Sequence, residues 1–352
     1  MRSAICLARR GLGNVFPNPA VGCLLVKDGL VVGRGWTQPG GRPHAETQAL
    51  KQAGSAATGA TAYVSLEPCA HVGKTPPCAV ALVDAGIVRV VAAITDPDPR
   101  VGGLGLKILQ LAGLSVTQDV CRDLAWRANL GFFLSQTKNR PMFTLKLATD
   151  TAGNIPGPNA AGQDKWITSP EAQKRGHLLR ANHDAVLFGI GTVLSDDPQY
   201  TCRLPGLEDA SPVRVLLDSR LRISTDSKLL KTRDQAPIWI ICGSEAQDRP
   251  DLEALNLTFI RAPDSQPDPK WVAAELAKRG LTRVLIESGP QVVNSFLAAK
   301  RVDEVAWFRS AKTLGAGAVP AFHTNLLEKL ALTRQAVLQA GPDQFELYIS
   351  EA

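Results

Sequence analysis

The chain has 352 residues, 45% of them hydrophobic, with a formal net charge of +6 and a pI near 9.0. That length holds two domains with large cores, and the apolar fraction excludes a disordered chain. No run of about 18 apolar residues is present, so no membrane span is expected. The mild basicity suits phosphorylated small molecules. No Lys/Arg run is dense enough for a nucleic-acid tail, and 5% aromatics are few for base stacking.

The opening "MRSAICLARRGLG" reads as a short amphipathic helix ending at Gly11 or Gly13, and as a poor export signal. The seven cysteines are odd in number, which points to a reduced, cytoplasmic protein in which paired cysteines suggest metal before disulfide. "AVGCLLVKDGLVVGRGW" is a hairpin turning at Asp28-Gly29. "AETQALKQAG" is a helix, "ATAYVSLEP" a strand, "PPCAVALVDAG" a helix and "VRVVAAITDP" a strand. "GLGLKILQLAG" and "LSVTQDV" add a helix and a strand, and "CRDLAWRANLGFFLSQTKNRP" one more helix. The polar break at Lys138 to Pro141 separates two domains, residues 1–139 and 140–352.

The pattern then restarts. "MFTLKLATD" is a strand, and "SPEAQKRGHLLRAN" is a helix capped by Ser169 with Pro170 at its first position. "DAVLFGIGT", "PVRVLLDS", "APIWIICG" and "TRVLIES" are strands, "PKWVAAELAKRG" and "PQVVNSFLAAK" helices, and "EVAWFRSAKTLG" a late strand. Both halves are α/β layers.

Chemistry concentrates in the first half. His44, Cys69 and Cys78 form a three-ligand set, the catalytic zinc arrangement in which a fourth position is left for water. Cys69 follows a proline just past a strand, and Cys78 follows Pro76-Pro77 at the start of a helix. Backbone N–H groups and the helix dipole there favour thiolate. Glu46 sits in the first turn of the helix presenting His44, placed to move a proton between water and a leaving amine. The pattern H-x-E…P-C…C is that of zinc nucleobase deaminases. His71 is a rival ligand, more suited to a substrate contact.

With "PNPAVGCLLVKDG", "PHAE", "SLEPCAHVGKTPPC" and "DPDPRVGGLGLKIL" in order, the chain resembles the family of bifunctional riboflavin-biosynthesis proteins. "KLA", "WIT", "LLRA", "GTVLSDDP", "LLDS" and "ESGP" carry the resemblance through the second half. It implies a cytidine-deaminase-like α/β/α domain followed by a dihydrofolate-reductase-like α/β domain. It further implies zinc-dependent deamination of a phosphoribosylamino-pyrimidine, then reduction of the ribosyl group to ribityl by NADPH. Carried over, Asn18 holds the pyrimidine. Ala148, Trp166, Thr192, Asp196, Ser219 and Gly289 line the NADPH site. Arg180, Tyr200, Arg203 and Glu287 face the ribose-phosphate, with Lys146 near the reacting centre. Guanidinium forks on Arg180 and Arg203 suit a phosphate. Free N–H groups in the "ESGP" turn suit a pyrophosphate. Arg220 or Arg222 beside Ser219 is the candidate for a 2′-phosphate.

One departure stands out. Where the family reads "SLDG", this chain has "DTAG", with Ala152 in place of the aspartate. Two readings of the second half follow: an active reductase, or a reductase-like domain that has lost reduction. No nucleic-acid partner is expected, and a homo-oligomer is.

Overall fold

The computed structural model describes residues 1–70, 76–98, 102–157 and 167–350. The chain divides into two compact units, Met1–Arg140 and Pro141–Ala352. His71 and Trp166 lie outside the described residues.

The first unit has strands β1 (Gly22–Lys27), β2 (Leu30–Trp36), β3 (Thr61–Val64), β4 (Arg89–Ala92) and β5 (Ser115–Thr117). They form one sheet in the order β2-β1-β3-β4-β5, antiparallel on the β1 side and parallel from β3 to β5. Asp28 and Gly29 take φ of 51° and 76°, the left-handed pair that lets a two-residue turn match strand twist. The helices are α1 (Arg2–Ala8), α2 (Ala45–Ala53), α3 (Cys78–Asp84), α4 (Leu104–Leu111), α5 (Arg122–Ala128) and α6 (Leu130–Lys138). Leu25, Val64 and Val90 from the sheet bury with Ala49, Leu82 and Leu109 from the helices.

The single helix predicted from Cys121 onward is two helices. Asn129 breaks it at φ −113° because its side-chain amide leaves the helix to bond both backbone groups of Ala20, at 2.9 and 2.8 Å.

The second unit has strands β6 (Met142–Thr149), β7 (Asn154–Ile155), β8 (Ala185–Gly189), β9 (Val213–Leu217), β10 (Ile238–Cys242), β11 (Thr258–Arg261), β12 (Arg283–Ile286), β13 (Glu304–Arg309), β14 (Val319–Pro320), β15 (Leu332–Ala340) and β16 (Asp343–Ser350). Its helices are α7 (Pro170–Ala181), α8 (Ile190–Asp196), α9 (Lys228–Lys231), α10 (Pro250–Glu253), α11 (Pro269–Lys278), α12 (Pro290–Ala298) and α13 (Thr324–Glu328). Nine strands make the main sheet in the order β11-β10-β9-β8-β12-β6-β13-β16-β15. It is parallel from β11 to β13 and antiparallel at β16 and β15. The parallel strands are nearly continuous apolar runs, as burial on both faces requires.

Two sequence expectations change here. The strand predicted over "DAVLFGIGT" stops at Gly189, whose N–H goes to the Ser288 hydroxyl at 3.0 Å. Ile190–Asp196 is helix, so Thr192 and Asp196 ride on α8. The hairpin of β15 and β16 went unanticipated. β15 is largely exposed and carries no clean alternation, while β16 seats Phe345 and Leu347 against Phe308 and Ala306.

Candidate active site

His44 is the N-cap residue of α2, and Cys78 opens α3 behind Pro77. Cys69 lies in the segment after β3. The fold brings the three together, every ligand atom within 4.8 Å of the others. His44 Nδ1 is 3.3 Å from Cys78 Sγ and 3.6 Å from Cys69 Sγ. Bonds of about 2.3 Å to sulfur and about 2.0 Å to nitrogen at tetrahedral angles put ligand atoms roughly 3.5–3.8 Å apart. The spacing fits three corners around one ion, and the donor set of two sulfurs and an imidazole suits zinc.

Electrostatics favour that use. The Cys69 thiol is held down to about 4, first by a hydrogen bond from Cys78 and also by His44, against the effect of burial. The backbone N–H of Cys78 adds a further bond to Cys69 Sγ at 3.3 Å. Cys78 keeps its proton, its thiol pushed up first by that hydrogen bond to Cys69 and then by burial. His44 is raised, first by its hydrogen bond with Cys69. A dication among the three would draw both sulfurs to thiolate.

Glu46 is buried, at 3% exposure, and lies within hydrogen-bond reach of Cys78. Burial, then the charge on Cys69, pushes its carboxyl up to about 7. Such a group can both take and give a proton near neutrality. Asn18 is folded over Gly41. A Cβ at Gly41, where φ is +82°, would stand 2.0 Å from Asn18 Nδ2. The absence of a side chain at Gly41, three residues before His44, leaves the space that the Asn18 amide fills.

In the second unit the sequence-predicted residues gather near the carboxyl ends of parallel strands, where ligands bind in open α/β sheets. Lys146 and Ala148 are on β6, Thr192 follows β8, Ser219 follows β9, and Glu287 and Gly289 follow β12, which is inserted between β8 and β6. Lys146 Nζ is 3.9 Å from Glu287 Oε2, and burial lowers its pKa. Burial alone would raise the Glu287 carboxyl. The charge and hydrogen bonds of Arg180, then Lys146, outweigh it and hold Glu287 at about 2. Asp196 is exposed at the end of α8. The Ser219 hydroxyl donates to Gln266 Oε1 at 3.1 Å.

The structure gives several of these residues protein partners that the sequence did not show. The Arg180 fork holds Glu287, its fellow in the expected ribose-phosphate set, through Nε and Nη2, and Nη1 donates to Thr201 O at 3.3 Å. The exposed Arg203 is the guanidinium turned outward. Tyr200 was expected to face the ribose-phosphate. It is buried, stacked on Phe188 at 4.0 Å, and its hydroxyl donates to the Glu287 backbone carbonyl at 2.9 Å, so it braces Glu287 from beneath. The "ESGP" turn does not present a row of free N–H groups. Glu287 N–H goes to Leu187 O at 3.0 Å and Gly289 N–H to Thr192 Oγ1 at 3.2 Å. The two arginines beside Ser219 are both exposed, and Arg222 Nε lies 4.0 Å from Asp218 Oδ1.

The "DTAG" stretch is also explained locally. Asp150 is buried, and its carboxylate accepts N–H bonds from Ala152 at 2.9 Å, Asn154 at 2.8 Å and Leu314 at 3.1 Å. The aspartate builds the turn that leaves Ala152 exposed at its tip.

Sequence reasoning missed His177. Its Nδ1 accepts the backbone N–H of Arg203 at 3.3 Å and lies 3.5 Å from Arg180 Nη1. Burial, then the charges of Arg180 and Arg203, lowers its pKa to about 4, so the ring is neutral. The signal was its place three residues before Arg180 on α7, one turn away on the same face.

Two family models match. Residues 1–94 match the cytidine and deoxycytidylate deaminase zinc-binding region, and residues 158–345 match the RibD C-terminal domain. Fold and site thus define a two-domain enzyme, a deaminase joined to a reductase. The chain is 39% identical over 342 residues to riboflavin biosynthesis protein RibD of Haemophilus influenzae, covering 94% of this chain and 90% of that one. It is 37% identical to RibD of Escherichia coli, covering 97% and 96%. The solved Acinetobacter baumannii RibD superposes with a TM-score of 0.88 at 36% identity, covering 100% and 98%. A Thermotoga maritima structure titled a diaminohydroxyphosphoribosylaminopyrimidine deaminase/5-amino-6-(5-phosphoribosylamino)uracil reductase superposes at 0.87 with 32% identity, covering 99% and 97%. The chain belongs to the RibD family of bifunctional riboflavin biosynthesis enzymes.

Proposed function

We propose that the first unit deaminates 2,5-diamino-6-ribosylamino-4(3H)-pyrimidinone 5′-phosphate and that the second reduces the ribosyl group of the product to ribityl. The observation that carries the first half is the convergence of His44, Cys69 and Cys78 with the buried Glu46 beside them. These residues would hold zinc, which when bound supplies a water with its pKa lowered to about 7. Glu46 takes a proton from that water as its oxygen joins the ring carbon, and returns it to the amine, which leaves as ammonia. Asn18 orients the pyrimidine.

In the second unit NADPH supplies hydride when bound, held by Ala148, Trp166, Thr192, Asp196, Ser219 and Gly289. Reduction needs a hydride at C1′ and a proton at O4′ as the C1′–O4′ bond opens. Lys146 holds that proton on Nζ, with Glu287 3.9 Å away to keep the ammonium charged against burial. Arg203 meets the phosphate, while Arg180 keeps Glu287 ionised. The Asp150 turn supports an active reductase over one that has lost reduction, because the loop is built without an aspartate at position 152.

The seven cysteines form no disulfide, which suits a cytoplasmic protein; the reading further takes it to work on a small molecule as a homo-oligomer, without nucleic acid or membrane. No helix among the described residues is long and apolar enough to cross a membrane.

Metal analysis with a coupled assay of both half-reactions tests this reading. Glu46→Gln should retain zinc and release no ammonia, while NADPH oxidation with the deaminated substrate continues. Retained ammonia release refutes the role of Glu46, and absent NADPH oxidation in the parent chain refutes the reductase.

A further inference from the structure

Glu67 stands two residues before Cys69 and is buried, at 4% exposure. Its Oε2 accepts backbone N–H bonds from Asp96 at 3.1 Å and Gly103 at 2.9 Å. Its Oε1 accepts from Gly105 at 2.8 Å and Leu106 at 3.3 Å. The last three donors belong to the cap and first turn of α4, which have no acceptors within their own helix. A second, independent contact ties the same two segments. A Cβ placed on Gly105 would lie 1.9 Å from the carbonyl oxygen of Pro68. The backbone of Glu67 is itself fixed, its N–H donating to Ile94 O at 2.9 Å.

Cys69 is the next residue but one. On its far side it is tied to the start of α3, through its sulfur to Cys78 N–H at 3.3 Å and its carbonyl to Ala79 N–H at 3.2 Å, and its sulfur also lies 3.6 Å from His44 Nδ1. The direction of its Cα–Cβ bond is thus set between α3 and the Glu67–Pro68 seat on α4. We propose that Glu67 is a positioning residue for the metal centre: by clamping α4 to the segment that carries Cys69, it aims the Cys69 sulfur without touching the ion. This rests on the zinc reading of the first unit. Only a carboxylate meets four N–H donors with acceptors alone. A glutamine would turn an NH2 group toward two of them.

The test uses the full chain with zinc alone, titrated against a chromophoric chelator, and the visible spectrum of the cobalt-loaded protein. Glu67→Gln should weaken zinc binding at least tenfold and shift the cobalt–thiolate bands, while reductase turnover of the same chain stays within twofold. Gly105→Ala, which pushes on Pro68 from the other side, should move both readouts the same way. Glu67→Asp keeps the acceptors on a shorter arm, should fall between parent and Glu67→Gln, and carries the test should the glutamine variant fail to fold. Parent-like zinc affinity and cobalt bands in Glu67→Gln or Glu67→Asp overturn the proposal. A parent chain that binds no zinc overturns the zinc reading, and this inference with it.

Discussion

Arg180 and Glu287 meet fork to fork, Nε to Oε1 at 2.7 Å and Nη2 to Oε2 at 2.8 Å, with side chains 16% and 8% exposed. Helix α7 supplies the guanidinium and the segment after β12 the carboxylate. The pair locks an acid beside Lys146 in the ionised state, and the Glu287 carboxylate opposes the lowering of the Lys146 pKa by burial and by the Arg180 charge.

Removing one partner should therefore cost more than removing both. Arg180→Met strips the buried Glu287 carboxylate of its two guanidinium bonds and leaves it Lys146 at 3.9 Å, and should destabilise the second unit by about 3 kcal/mol. The double variant Arg180→Met/Glu287→Leu should recover most of that stability and none of the reductase activity. Guanidinium denaturation of the parent, the single variants and the double variant measures the coupling. Additive losses would show that the bidentate pair does not act as a unit.

His177 should matter to phosphate binding through Arg203. Losing the Nδ1 acceptor frees the Arg203 backbone. His177→Ala should raise KM for the phosphorylated substrate about tenfold, roughly 1.4 kcal/mol, with kcat of the reductase within twofold and the deaminase unchanged. His177→Asn, which restores an acceptor, should recover part of the loss. Steady-state kinetics with phosphorylated and dephosphorylated substrate checks this. Equal effects on both substrates would place His177 elsewhere.

Acid should destabilise the second unit in two stages. His183 is buried, bonded to Leu179 O and Thr144 Oγ1, and burial followed by the Arg283 charge lowers its pKa from 6.5 to about 3. As pH falls below about 6.5, the unfolded chain takes up a proton that the native one refuses, so stability drops down to about pH 3. Glu287 has a native value of about 2 against an ordinary 4.5. Its contribution is full above about 4.5 and is lost as pH falls toward 2. Each group alone gives a slope of roughly 1.4 kcal/mol per pH unit inside its window. Urea midpoints between pH 3 and 8 measure this, and His183→Gln should remove about half of the slope from pH 6.5 to 4.5, the rest coming from His177, whose pKa is lowered to about 4. An unchanged limb would assign it to other groups.

Asp150, more than position 152, should govern the loop after β6. Asp150→Ala removes the acceptor for three N–H groups at once, and should raise KM for NADPH at least tenfold. Ala152→Asp should leave NADPH KM within about threefold, because the turn is already built. A large gain from Ala152→Asp would show that the exposed position carries a cofactor contact.

Much of the first site was legible along the chain. His44 and Glu46 sit on the first turn of one helix, and each cysteine follows a proline that ends one element or starts another. Spacing within a single segment shows through local geometry alone. Glu67 was equally visible in "LEPC", but as a residue next to a ligand and no more. Its four N–H partners lie 29 to 39 residues away. The β15–β16 hairpin escaped because an edge strand exposed on both faces leaves no period-2 signal.

The α/β layering, the family and the grouping of His44, Cys69 and Cys78 near Glu46 were readable from the sequence alone, because periodicity, prolyl-cysteines and short motifs are local properties. Tertiary structure decided what each polar side chain touches. Arg180 has its carboxylate 107 residues away and Tyr200 its carbonyl 87 residues away, partners that no local motif displays. A buried charge or hydroxyl takes the partner that packing brings nearest, since leaving it without one costs more than any ligand contact it gives up. That choice is made only when distant segments meet.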